Sequence, residues 1–233
     1  MREPADIVCL FDVDNTLIDN DRVAADLSEH LSRALGQPTR DAYWRIFEEL
    51  RDELGYADYL GALQRYRASH LHDPRILRMA NWLIDYPFAE RLYPGATEAV
   101  CHLASFGETV ILSDGDAVFQ PRKVAQSGLL HLFGRRVLIY IHKEDELAYV
   151  EKLFPARHYV MIDDKLRLLD AIKRYWGERV TTVFPRQGHY AHDMATLTEY
   201  PAADLSIDAI GELAGYDAAT LRNAAGRGVA ETG

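Results

Sequence analysis

The most informative pattern in the chain is a set of short apolar runs that do not alternate with polar residues. Five stand out, at residues 7–11 (IVCLF), 109–112 (TVIL), 137–141 (VLIYI), 159–162 (YVMI) and 180–184 (VTTVF). They are rich in β-branched and aromatic residues, as strands buried on both faces of a parallel sheet are. Helical spacing separates several of them: Val100, Leu103 and Ala104 recur within residues 96–106, and Leu166, Leu169 and Ile172 within 165–176. This alternation predicts an α/β fold, a doubly wound, Rossmann-like parallel sheet.

Residues 20–88 break the alternation, with helical patterns and no strand. Val23, Leu27, Leu31 and Ala34 mark one helix, stopped by Gly36. Tyr43, Ile46, Phe47, Leu50 and Leu54 mark a second, stopped by Gly55. Tyr59, Leu60, Leu63 and Tyr66 mark a third. Asp73 and Pro74 read as a cap and a first-turn proline opening a fourth, with Ile76, Leu77, Ala80, Leu83 and Ile84. The expected organisation is a core domain of residues 1–19 and 89–233, interrupted by a helical cap domain of residues 20–88. Tyr93-Pro94-Gly95 is the turn back to the core, and the residues after Tyr216 read as a final helix or a frayed tail.

Composition narrows the class. The chain has 233 residues, 48% apolar and 27% charged, which is globular in balance. Lys and Arg total 26 against 36 Asp and Glu, a net charge of −10, which argues against nucleic acid or an anionic membrane as partner. Cys9 and Cys101 both sit in apolar surroundings and read as core residues; two cysteines make neither a disulfide framework nor a four-thiolate zinc site. With no secretory leader and no stretch near the ~20 apolar residues of a membrane span, the expected location is the cytoplasm.

The chemistry lies just after the apolar runs. Asp12, Asp14, Asn15 and Thr16 follow the first, Ser113 and Asp114 the second, His142 and Lys143 the third, and Asp163 and Asp164 the fourth. Ligands bind at the carboxyl ends of strands in open α/β sheets, so these residues should converge. A carboxylate can attack phosphorus, a second carboxyl two residues on can serve as acid and base, and a hydroxyl and a lysine can hold the phosphoryl oxygens. Asp12, Asp14, Asp163 and Asp164 with a phosphate dianion bring up to about six negative charges together against Lys143, which calls for an oxygen-ligated Mg²⁺.

These segments resemble the haloacid dehalogenase-like hydrolase superfamily over nearly the whole chain. FDVDNTLID resembles its first motif, ILSDG its second, Lys143 its third and the Asp pair after Ile162 its fourth; residues 20–88 sit where that family places a helical cap. The resemblance implies Asp12 as nucleophile, Asp14 as acid and base, Ser113 and Lys143 (with Asp114 beside them) as phosphate-binding residues, and Mg²⁺ held by Asp12, the Asp14 carbonyl, and Asp163 or Asp164, with Asp163 preferred. Asn15 stands where many members have glycine; asparagine tolerates a positive φ, so the same turn remains open to it. Lys123, in QPRKVAQSGL, is a rival to Lys143 for the phosphoryl group; its helical position reads as a solvated charge.

The expected activity is Mg²⁺-dependent hydrolysis of a small phosphorylated metabolite. The resemblance leaves a phosphomutase, a dehalogenase and a non-catalytic binding protein as alternatives. Asp14 argues against the dehalogenase, whose leaving halide needs no proton, and the absence of lysine between Asn20 and Arg91 argues against Schiff-base chemistry. His142 and the PRQGHY stretch with Arg186 and His189 read as loop residues outside the reaction, and the arginines of residues 22–78 as solvated helix faces, one or two of which could enter the cleft.

Overall fold

The computed structural model describes residues 3–226. Six parallel strands form one sheet in the order β3-β2-β1-β4-β5-β6: β1 (Ala5–Phe11), β2 (Glu108–Asp114), β3 (Val137–Tyr140), β4 (Ala156–Ile162), β5 (Val180–Pro185) and β6 (Leu205–Ile207). Phe11 of β1 is level with Ile111 of β2 and Ile162 of β4. The chain moves outward from β1 to β3, then returns to the other side of β1 for β4. The β1/β4 boundary is therefore the switch point at which ligands of such sheets bind.

Both faces of the sheet are covered, which explains the unbroken apolar runs. Ile7, Cys9 and Phe11 point to one face, and Val8 and Leu10 to the other. The first face packs against α5 (Ala96–Ala104), α6 (Phe119–Gln126), α7 (Leu129–Phe133) and α11 (Ala218–Ala224). The second packs against α8 (Leu147–Leu153) and α9 (Leu166–Trp176), with α10 (Met194–Glu199) at its margin. Doubly wound α/β architecture is thus the observed fold. Two sequence expectations change at its edges. The 137–140 segment is an edge strand whose four residues are all only half-buried, and the three residues of β6 are too few to register as a run. Cys9 is fully buried, which pushes its thiol up to about 12, but Cys101 faces solvent on the outer side of α5 and is not a core residue.

Four helices lie between β1 and β2: α1 (Asn20–Leu35), α2 (Gln37–Leu54), α3 (Tyr59–Ala68) and α4 (Arg75–Ile84). Asp19 caps α1 by accepting from Arg22 N, and Asp58 caps α3 by accepting from Gly61 N. α4 begins one residue later than Pro74, because Asp73 accepts both the backbone N–H and the guanidinium of Arg75. Leu77 falls on its outer side and is 55% exposed. The apolar stripe of the insert (Val23, Leu27, Leu31, Tyr43, Phe47, Tyr59, Leu63, Met79, Leu83) is continuous with the core on the first face. Among the described residues the last helix is α11; residues 227–233 of the expected tail lie outside them.

The C-terminal end is clasped by Asp204. Its carboxylate accepts from Lys173 Nζ (2.7 Å), Thr182 N (2.8 Å), Thr182 Oγ1 (3.0 Å) and Gly226 N (2.8 Å). Burial alone would raise its pKa, but the bonds from Lys173, Thr182 and Gly226 outweigh it and hold the carboxyl below its ordinary 3.8. A depressed carboxyl stabilises the fold above its unfolded pKa, and that contribution is lost as the pH falls through the folded value. Asp204→Asn should therefore cost about 2 kcal/mol at neutral pH and progressively less at acid pH, as read by urea denaturation. An equal loss at neutral and acid pH would contradict this role.

Candidate active site

The loop after β1 folds back on itself because Asn15 takes φ 56°, the one non-glycine residue with positive φ among those described. Asn tolerates this conformation, and its side chain also bonds locally. Oδ1 accepts from the N–H groups of Asn20 and Asp21, and Nδ2 donates to Asp21. Asn15 thus ties the strand end to the start of α1. Gly188, after β5, closes over it. A Cβ there would stand 2.6 Å from Asn15 Cγ, and φ at Gly188 is 68°.

Asp12 follows β1, its N–H donating to Ile162 O at 2.9 Å. Its Oδ1 accepts from Lys143 Nζ (2.6 Å) and Ser113 Oγ (3.3 Å). Lys143 Nζ also lies 2.6 Å from Asp163 Oδ2, close enough for ion pairing though not aligned as a hydrogen bond. Asp163 Oδ1 accepts from Lys165 N at 2.8 Å. Asp164 is 1% exposed, and neither of its oxygens has a hydrogen-bond partner. One oxygen each from Asp12, Asp163 and Asp164 lie within 4.8 Å of one another.

Electrostatics follow from this crowding. Burial raises the pKa values of Asp163 and Asp164; Lys143 and Lys165 pull them down, and the neighbouring carboxylates push them up. Burial would lower Lys143, but Asp12, Asp163 and Asp114 raise it, so its ammonium is held charged. A cluster of hard oxygen donors around an unpartnered buried carboxyl suits a divalent cation such as Mg²⁺. Of the two aspartates after β4, Asp164 has the open carboxyl and Asp163 is already engaged, the reverse of the sequence preference.

Three sequence expectations are corrected here. Asp114 does not reach toward a phosphate: its Oδ1 accepts the backbone N–H of Lys143 (2.7 Å) and sets that loop, and a second anion would repel phosphate. Lys123 is not solvated. It is 0% exposed, and its Nζ donates to Asp14 Oδ1 at 2.6 Å. The charge balance also holds more cations than Lys143 alone, because Lys123 and Lys165 stand with it around the four aspartates.

A cleft of about 700 Å³ opens between the insert and the sheet edge. Asp14, Asn20 and Asp21 line it from the first loop, Trp44, Glu48, Arg51 and Tyr56 from the insert, Asp164, Lys165 and Arg167 from the β4 end, and His189 and Tyr190 from the loop after β5. Arg51 is the one insert arginine among its lining residues, and it is paired with Glu48. The PRQGHY stretch joins the site after all: His189 pairs with Asp21 at 2.7 Å, and Gln187 Nε2 donates to Thr16 O at 3.2 Å. Arg186 points away, 3.9 Å from Asp208. His142 packs against Gly55, where a Cβ would stand 2.5 Å from its ring. Gln120 and Lys123, three apart on α6, were legible as a polar pair on one helix face, but nothing local says which way that face points.

Comparison with known proteins agrees with the fold. A family model described as haloacid dehalogenase-like hydrolase matches residues 8–175. A solved structure from Burkholderia xenovorans, described as a haloacid dehalogenase-like hydrolase, is 60% identical, with a TM-score of 0.89 over 92% of this chain and 100% of that one. The L-2-haloacid dehalogenase of Xanthobacter autotrophicus shares the fold at 21% identity and TM-score 0.61, covering 89% and 96% of the two chains. The magnesium-bound HAD-hydrolase YfnB of Bacillus subtilis does so at 18% identity and TM-score 0.62, covering 90% and 97%. No curated protein matches the chain. Among the described residues no helix is long and apolar enough to cross a membrane.

Cation binding at this cluster is testable without turnover. A ligand that binds only the folded state at a hundredfold excess over Kd adds about 2.7 kcal/mol. Mg²⁺ should raise the melting temperature of the wild type by several degrees. Asp164→Asn should raise the metal-free melting temperature, because it removes an unpartnered buried acid, and should abolish the Mg²⁺ response. A variant that responds to Mg²⁺ as the wild type does would exclude Asp164 from the site.

Proposed function

Because the chain belongs to the haloacid dehalogenase-like hydrolases, we propose that it is a Mg²⁺-dependent phosphatase acting on a small phosphorylated metabolite. The observation that carries the reading is the acidic constellation itself. Asp14 faces the cleft two residues after Asp12, and Asp12, Asp163 and Asp164 gather around a space suited to a dication. Cleavage of a carbon–halogen bond releases a halide that needs no proton, so Asp14 would have no leaving group to protonate in it. The dehalogenases among the structural neighbours share the fold at low identity and do not carry their substrate over. Free Cys101 on the surface fits a reducing compartment, the cytoplasm.

In this mechanism an oxygen of Asp12 attacks phosphorus, and the bond from phosphorus to the ester oxygen breaks. Lys143 and Ser113 both engage Asp12 Oδ1, which orients the carboxylate for that attack. The Lys143 ammonium offsets negative charge on the transferring phosphoryl group. Asp14 gives its proton to the departing alcohol. Asp14 then takes a proton from water as the water oxygen attacks phosphorus, releasing inorganic phosphate and restoring Asp12. A bound Mg²⁺ would screen the phosphate from the carboxylates around it. The residues to hold it are Asp12, Asp163 and Asp164, with the Asp14 carbonyl. The insert excludes bulk water from the cleft.

A panel of phosphorylated metabolites assayed with Mg²⁺ should give turnover, and Asp12→Asn should abolish it while far-ultraviolet circular dichroism stays unchanged. A variant that keeps more than about a tenth of wild-type activity would remove Asp12 as nucleophile, since losing such a group typically costs many orders of magnitude. Purified enzyme should release no halide from 2-chloroacids above background. Halide release that Asp12→Asn abolishes would replace the phosphatase reading with dehalogenation.

A further inference from the structure

Lys123 is a fully buried ammonium that the mechanism above does not use. It projects from α6 into a box of three rings, Tyr59 of α3, Phe88 and Phe119, with centroids 5.9, 5.9 and 5.3 Å from Nζ. An aliphatic side chain would fill that box without desolvating a charge. The ammonium has two oxygen partners there, Asp14 Oδ1 at 2.6 Å and Asn20 Oδ1 at 3.1 Å. One turn earlier on the same helix, Gln120 Nε2 lies 3.4 Å from Asp14 Oδ2 and donates to Ser113 Oγ at 3.0 Å. Both oxygens of Asp14 are therefore held from α6.

We infer that Lys123 is a positioning residue: it holds the Asp14 carboxyl in place and makes that hold depend on the seating of the helical insert. This rests on the phosphatase reading. The dependence arises from what completes the box. Asn20 opens α1, and its Nδ2 donates to Tyr59 Oη at 3.1 Å; Tyr59 in turn has its carbonyl bonded by Tyr43 Oη at 2.9 Å. Two of the groups around the ammonium, the Asn20 amide and the Tyr59 ring, thus belong to helices of the insert, while Phe88 lies at its exit to the core. Lifting the insert strips both away and admits water, and Lys123 is then free to leave Asp14. The acid/base group is fixed only while the cleft is closed, when a proton must pass to the leaving oxygen and then from water.

A residue that places the proton donor matters most where the leaving group is basic. Phenyl phosphate and 4-nitrophenyl phosphate have nearly the same shape, but phenoxide needs the proton far more than 4-nitrophenoxide does. Lys123→Met fills the box without charge. It should lower kcat/KM for phenyl phosphate by about a hundredfold, the low end of what general acid catalysis supplies, and for 4-nitrophenyl phosphate by much less. Asn20→Ala, which leaves Lys123 in place, should show the same leaving-group selectivity at smaller size, and the two changes together should do little more than Lys123→Met alone. Equal losses on both esters would reduce Lys123 to a structural staple, and no loss on either would remove its role; each overturns the inference. Independent, multiplying effects of the two variants would overturn the link to the insert. If Lys123→Met fails to fold, the selectivity of Asn20→Ala decides. A wild type inert toward both esters and the metabolite panel sinks the phosphatase reading itself, a result distinct from active wild type with unselective variants.

Discussion

Four carboxylates crowd the carboxyl end of β1 and β4, three of them almost wholly buried, and the surrounding structure is arranged to make that tolerable. Two unit charges at about 4 Å repel by roughly 4 kcal/mol at an intermediate dielectric, so such a cluster cannot stand without counter-charge. Lys143 answers Asp12 and Asp163, and Lys123 answers Asp14. Asp164 is left with no hydrogen-bonded partner. That residual demand is what makes the place suited to a dication, and a dication beside a carboxylate nucleophile suits phosphate.

The sheet topology creates the crowding. Asp12 and Asp163 directly follow adjacent strands at the switch point, where neighbouring connections leave in opposite directions and open a crevice. Loops from β1, β2, β3, β4 and β5 then reach one space. The insert roofs it, and contacts tie its helices to the core: Asn20 and Tyr59 to Lys123 of α6, and Asp21 to His189 of the loop after β5. Closure and the placement of Asp14 become a single arrangement.

Much of this was legible in the sequence, for a physical reason. Strands buried on both faces must be apolar at every position, so β1, β2, β4 and β5 declare themselves, and polar residues just past such a strand have one place to go. Asp12, Ser113, Lys143, Asp163 and Asp164 were found in this way. What escaped depends on contacts between distant segments. Lys123 has the pattern of a surface residue, and only the docking of α3 and the 88–91 turn against α6 buries it. His189 and Gln187 sit in a stretch with no periodic signal, and their role follows from where the Asn15 turn places Asp21 and Thr16. Asp114 was read for its neighbour Ser113, though the pleat turns consecutive side chains to opposite faces of a strand.

The central claim is that Asp12 attacks phosphorus and that water attacks phosphorus in turn. A single turnover in ¹⁸O-labelled water, followed by mass spectrometry of the released phosphate and of the peptide containing Asp12, tests this directly. The account predicts label in the phosphate and none in the Asp12 carboxylate, because water never touches the aspartyl carbon. Label in Asp12 would contradict it, since that is the outcome when Asp12 has attacked carbon and water has opened the resulting ester at the carboxyl group.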